Sequence, residues 1–90
     1  MLTDLLPNGS VVRLKGDEGY LMICGRLVMG EDDNGEDTVY QYAGCEFPMG
    51  ITDDNYFMFD GADIEELLFV GFQDERELLY REKLDELISE

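Results

Sequence analysis

Two acidic runs hold the densest set of potential ligands in the chain: Glu31-Asp32-Asp33-Asn34-Gly35-Glu36-Asp37 and Asp53-Asp54-Asn55. Carboxylate and amide oxygens suit calcium, but EF-hand loops need alternating acids, glycine at the sixth position and glutamate at the twelfth. From Asp32 the sixth residue is Asp37, and from Asp53 it is Met58, so neither run has the register. Both read as solvated turns, with weak divalent-ion association the most that the local negative potential offers. Histidine is absent, which removes the commonest general base and the usual triads. Ser10 and Ser89 have no recognisable base nearby in sequence, and there is no glycine-rich phosphate loop. Among 22 acids close carboxylate pairs arise by chance, and a glycosidase-like dyad wants a cleft that 90 residues can hardly build. The expectation is a non-enzymatic chain with no catalytic, metal or cofactor site. Cys24 and Cys45 lie in apolar, strand-like surroundings and read as two reduced core thiols. A disulfide between neighbouring strands, or a redox role, stays open on cysteine number alone.

The chain carries 22 acids against six bases, a formal charge of −16, yet 44% of its residues are hydrophobic and 11% aromatic. Disorder needs high charge together with low hydrophobicity, so this chain should fold, as one domain over residues 1–90. Phosphates would be repelled, which argues against nucleic acid and anionic membrane as partners. The longest apolar stretch, Tyr20 to Gly30, carries Arg26 and is too short to span a bilayer. Met1 to Pro7 has an acid where a signal peptide needs bases, so the expectation is a cytoplasmic location, or export by a route that uses no cleaved signal, and without secretion the glycosylation-like Asn8-Gly9-Ser10 means nothing. The charge can serve solubility, complement a basic partner, or imitate the phosphates of DNA to block a nucleic-acid-binding protein. Mimicry wants acids arrayed on one face, whereas here they gather in turn tips and the last segment.

These residues must be positioned by short strands between glycine-marked turns. Leu6 to Ser10 leads as a turn into a strand at Val11–Lys15. Tyr20–Met29, nearly continuous in its hydrophobicity, suits a central strand buried on both faces, with Gly25 marking a bulge or bend. Gly30 to Asp37 is a hairpin tip, followed by strands at Thr38–Phe47 and Tyr56–Phe59. Asp60 caps a short helical turn through Asp63 to Glu66, and Leu67–Phe72 is the last strand. Asp74 opens a helix over 74–89, with Glu75 and Glu77 in the first turn where the dipole favours anions. Tyr80, Leu84, Leu87 and Ile88 form its apolar stripe, with Leu79 at the edge and Leu78 pointing away. Glu75, Glu77, Glu82, Asp85, Glu86 and Glu90 lie largely opposite. The fold expected is α+β, mainly β: a small, strongly bent antiparallel sheet of about five strands, an SH3-like barrel or half-barrel, with a terminal amphipathic helix. Phe57, Phe59 and Phe69 read as core fillers, while the tyrosines suit an interface.

The ordered motifs resemble those of a family of small acidic proteins from Gram-positive bacteria. They are Leu6-Pro7-Asn8-Gly9-Ser10-Val11-Val12-Arg13-Leu14-Lys15-Gly16, then Leu21-Met22-Ile23-Cys24-Gly25-Arg26 and Tyr40-Gln41-Tyr42-Ala43-Gly44-Cys45. Pro48, Gly50, Tyr56-Phe57, Asp63-Ile64-Glu65-Glu66 and Phe69-Val70-Gly71-Phe72 complete the series. That family is catalogued as a domain of unknown function, often encoded in type VII secretion gene clusters beside toxins with an amino-terminal LXG domain. The resemblance implies a cytoplasmic adaptor, chaperone or targeting factor for such a toxin, and it supplies no catalytic residues. The surface expected to bind the partner combines Glu31, Asp32, Asp33, Glu36 and Asp37 of the tip with Tyr40, Tyr42, Tyr80, Leu84 and Leu87. An immunity protein for the toxin and a phosphate mimic are the alternatives, with a calcium-dependent module a weaker third. An uncovered edge strand leaves a homodimer open, although −16 per chain opposes self-association at low salt.

Overall fold

The computed structural model describes residues 5–52 and 56–89. The run Asp53-Asp54-Asn55, the Ile88 side chain and Glu90 lie outside the described residues. The fold is α+β and mainly β, with strands β1 (Val11–Leu14), β2 (Tyr20–Glu31), β3 (Asp37–Phe47), β4 (Tyr56–Phe59) and β5 (Ile64–Phe69). A single 3-10 turn, Gly61–Asp63, precedes β5, and one helix, α1 (Glu75–Ser89), follows it. All pairings are antiparallel, and the order β4-β3-β2-β1-β5 leaves the sheet open, as a half-barrel rather than a closed barrel.

Bulges supply the bend. Ile23 pairs with Gly44 and Gly25 with Ala43, so Cys24 is an extra residue in β2, beside the glycine expected to mark an irregularity. In β5, Val11 and Val12 face Phe69 and Leu67, while Arg13 and Leu14 face Glu66 and Ile64. Leu68 and Glu65 are therefore extra in turn, and two bulges in six residues curl the edge strand.

The last strand starts three residues earlier than its composition implies. Asp60 and Asp63 close the 3-10 turn reciprocally, and Asp60 Oδ1 also accepts from the Gln41 amide at 3.0 Å. Lys15 N then donates to Asp63 O at 2.9 Å, and Leu14 pairs with Ile64, so pairing with β1 captures Ile64 to Glu66 as strand rather than helix. The chain leaves the sheet beyond Phe69, where Gly71 N donates to Ser10 Oγ at 3.0 Å. Ser10 is fully buried, and its hydroxyl donates in turn to Pro7 O at 2.8 Å.

One face of the sheet carries the core: Val12, Leu21, Ile23, Tyr42 and Phe59, covered by Leu5 and by Leu84 of α1. Asp74 caps α1 as expected, its Oδ1 accepting from Glu77 N at 3.1 Å. The Arg76 guanidinium, and then the Glu77 amide, hold the Asp74 carboxyl below its usual range. The apolar stripe of α1 is not a buried stripe. Of its described members only Leu84 enters the core, while Tyr80 and Leu87 are exposed. Polar contacts do the rest of the docking: Arg26 chelates Glu77, and Arg81 Nη1 donates to Leu5 O at 2.9 Å.

Tyr42 ties the amino-terminal segment to this core. Its hydroxyl accepts from Leu6 N at 3.0 Å, and its ring meets Phe59 with centroids 5.6 Å apart. Burial pushes the phenol above its ordinary pKa, partly offset by the Leu6 amide and by Arg26 and Arg81. A raised acid favours the neutral form in the folded state, so its contribution is complete below about pH 10, the unfolded value, and is lost as pH rises through the folded one. Denaturant midpoints should therefore fall as pH is taken above about 10, and Tyr42→Phe should flatten that fall. At neutral pH the same change should cost about 1–3 kcal/mol, because the Leu6 amide loses its partner. A high-pH slope unchanged in Tyr42→Phe would remove the phenol as its cause.

Candidate functional site

The opposite face of the sheet is where apolar surface meets solvent. Strand alternation places Leu21 and Ile23 toward the core, which turns Tyr20 and Met22 the other way. Register then brings their neighbours to the same side: Tyr20 pairs with Phe47, Met22 with both Cys45 and Val11, and Val11 with Phe69. Gly9 completes one end, with its amide donating to Ile23 O at 2.7 Å and its φ at 93°, a conformation that favours glycine. The result is an open groove lined by Gly9, Val11, Tyr20, Met22, Phe47, Leu68 and Phe69, with almost no polar surface. Val11 and Met22 form its floor. Tyr20, Phe47, Leu68 and Phe69 are exposed around it, Phe69 most of all at 61%. Leu68 reaches the groove because it is one of the extra residues of β5.

The groove does not stand in a neutral setting. A neighbouring depression shares Tyr20 and is lined by Asp17 and Glu46 along with Leu14, Leu21, Phe57 and Met58. Glu46 pairs with Leu21 and stands on that residue's side of the sheet, so these acids lie round the Tyr20 end of the groove and outside its lining. An apolar residue seated in the groove gains by desolvation, while a cationic residue next to it meets a favourable field. Among the described residues no three His, Cys, Asp or Glu side chains converge as a metal would need.

The residues expected to bind a partner do not form one surface. Glu31, Asp33, Glu36 and Asp37 are exposed at the far end of the β2–β3 hairpin. Asp32 is held in the turn itself, where its Oδ1 accepts from Asn34 N at 2.8 Å and Glu36 N at 3.0 Å. Tyr40 is half-buried nearby and donates to Glu31 O at 3.2 Å. Tyr80 and Leu87 are exposed on α1, Tyr80 with its ring over the Arg26 guanidinium at 5.4 Å. Two members are corrected outright. Tyr42 is 4% exposed and Leu84 5%, because both fill the core that joins sheet and helix, and neither can meet a partner.

Other expectations are corrected in the same way. Phe59 is a core filler, but Phe57 is exposed, and Phe69 lies on the outer face because Val11 is its pair. β2 is buried on one face rather than both. Cys45 is buried as expected, whereas Cys24 is exposed because it continues the alternation of Tyr20 and Met22 onto the uncovered outer face, and both are free thiols. The groove itself escaped the sequence. Its signal was the alternation of Tyr20 and Met22 with Leu21 and Ile23, which uniform hydrophobicity concealed. No described helix is long and apolar enough to cross a membrane.

In comparison with known proteins, the family described as "Domain of unknown function (DUF4176)" matches residues 5–79. That span takes in every strand and the first turn of α1. No curated protein and no solved structure shows a significant match.

Proposed function

The chain belongs to this family of unknown function, and from that premise we propose that it is a non-enzymatic adaptor, binding a partner protein through the groove on its outer sheet face. The observation that carries the reading is an open, nearly apolar groove on a chain of net charge −16. Exposed apolar surface of this kind is characteristic of interaction sites, and the charge selects against acidic occupants. The fitting partner presents apolar side chains beside basic ones. Following the resemblance in the sequence motifs, that partner is an LXG toxin of a type VII secretion system, held or delivered in the cytoplasm before export.

The test is titration of the purified chain with such a toxin and with its two halves. An adaptor binds the amino-terminal half. Binding confined to the carboxy-terminal half replaces the adaptor with an immunity protein, and absence of binding removes the toxin as partner. Phe69→Ala should weaken binding by about 2 kcal/mol, roughly thirtyfold, since a central aromatic anchor loses its desolvation. The mostly exposed ring contributes little to folding, so the melting temperature should move little. Raising salt should slow association, because charge steering acts on the encounter rate. A Phe69→Ala variant that binds like the parent moves the interface off the groove.

A further inference from the structure

The β2 bulge brings two thiols together. Cys45 pairs with Met22 and Ala43 with Gly25, so the extra residue Cys24 sits diagonally across the strand pair from Cys45. Pairing across adjacent strands fixes both backbones, and bulges re-aim side chains within such a ladder. Cys45 Sγ donates weakly to Met22 O at 3.8 Å, which turns its thiol across the strand pair toward the backbone that leads into the bulge. Their environments differ: Cys24 is exposed, while Cys45 is 2% exposed. A reagent in solution can therefore meet Cys24 and not Cys45.

We propose that Cys24 and Cys45 are a redox pair that closes to an intramolecular disulfide in the presence of a low-molecular-weight disulfide, Cys24 attacking first and Cys45 resolving. In the first step Cys24 loses its proton and its thiolate attacks one sulfur of the small disulfide. A mixed disulfide forms on Cys24 and one small thiolate leaves. Cys45 then loses its proton and attacks the Cys24 sulfur, expelling the second small thiolate. Both released protons go to those thiolates, so two protein thiols are oxidised and one small disulfide becomes two small thiols. The packing around its sulfur pushes the Cys24 thiol up, with the adjacent Cys45 thiol adding to the shift. Little thiolate is present at neutral pH, and the first step should speed up about tenfold per unit between pH 7 and 8.

This inference stands on the thiols alone and is independent of the adaptor reading. Its consequence does reach the groove, because the disulfide would cross-link the bulge to the strand partner of Met22. The experiment treats the reduced full chain with excess oxidised glutathione under native conditions. Remaining thiols are then alkylated after unfolding, and intact mass is followed with time. The parent should end two hydrogens lighter as a monomer, without retained glutathione and without an alkylatable thiol. Cys45→Ser should instead accumulate one glutathione per chain, and Cys24→Ser should keep its remaining thiol unmodified over the same period. A parent that retains glutathione with the other thiol still alkylatable, or that forms disulfide-linked dimers, overturns the proposal. So does rapid glutathionylation of Cys24→Ser, which would make Cys45 directly accessible.

Discussion

Replacing Gly71 by alanine should lower stability by about 3 kcal/mol or more, the largest loss expected from adding a single methyl group to this chain. A Cβ at this position would stand well inside the van der Waals radius of the Asn8 carbonyl oxygen, and 2.9 Å from both Gly9 C and Ser10 N. All three neighbours are backbone, so no side chain can swing away. The backbone itself is tied, since Ser10 Oγ accepts from Gly71 N while its hydroxyl donates to Pro7 O. Relief of the clash would have to break this buried junction. For a domain of this size the loss corresponds to a melting point lower by on the order of 15 °C. Gly19→Ala is the control, because its Cβ would meet only the Asp17 carboxylate at 3.8 Å, and its effect should stay within about 0.5 kcal/mol. Parallel thermal melts decide the matter. A Gly71→Ala melt within a degree or two of the parent would show that the junction can open at little cost.

Arg26→Ala should cost about 3–5 kcal/mol, because it strands a carboxylate rather than merely deleting a contact. The Arg26 side chain is 3% exposed and that of Glu77 13%, with Nη1–Oε2 at 2.5 Å and Nη2–Oε1 at 2.8 Å. Nη1 also donates to Leu6 O at 3.2 Å, so one guanidinium joins β2, the amino-terminal segment and α1. Without it Glu77 faces the protein uncompensated, and one of the few anchors of the helix is gone. Lysine should rescue poorly, since an ammonium cannot reproduce the two parallel hydrogen bonds. The double change Arg26→Met with Glu77→Met should recover most of the loss, as replacing both charges by apolar groups removes the stranded one. Chemical denaturation of the parent, Arg26→Met, Glu77→Met and the double variant, taken as a double-mutant cycle, measures this coupling. Strict additivity would mean that the pair is energetically independent and would refute the argument.

How far the sequence shows this arrangement follows from the range of the interactions involved. The turns are local, so Gly9, Gly16 and Gly35 mark them plainly, and Asp74 announces the helix from within its own first turn. Gly25 points to the bulge for the same reason. Arg26 reads as a lone charge in an apolar strand because its partner is 51 residues away. The segment Ile64-Glu65-Glu66-Leu67-Leu68-Phe69 has no clean two-residue period, since two of its members are bulged. Only pairing with β1 decides where that strand starts. The groove is hidden for a related reason. When both faces of a strand are apolar, composition cannot say which face is covered, and coverage depends on Leu5 and Leu84 at opposite ends of the chain.

Those distant partners also govern when the domain can assemble. The β2–β3 hairpin is joined by a short turn and can form from its own residues. The amino-terminal segment can pair early with β2, Val12 with Leu21 and Gly9 N with Ile23 O, but its other partners come late: Val12 pairs also with Leu67, Ser10 binds Gly71, and the Leu5 carbonyl receives Arg81. These late contacts span 55 to 76 residues, so loop closure over most of the chain precedes the packing that rewards it. A nascent chain released only as far as β4 lacks β5, the Gly71 junction and α1 alike. The core is therefore completed after synthesis has passed residue 84, and until then Leu5 and Val12 remain uncovered on an incomplete sheet.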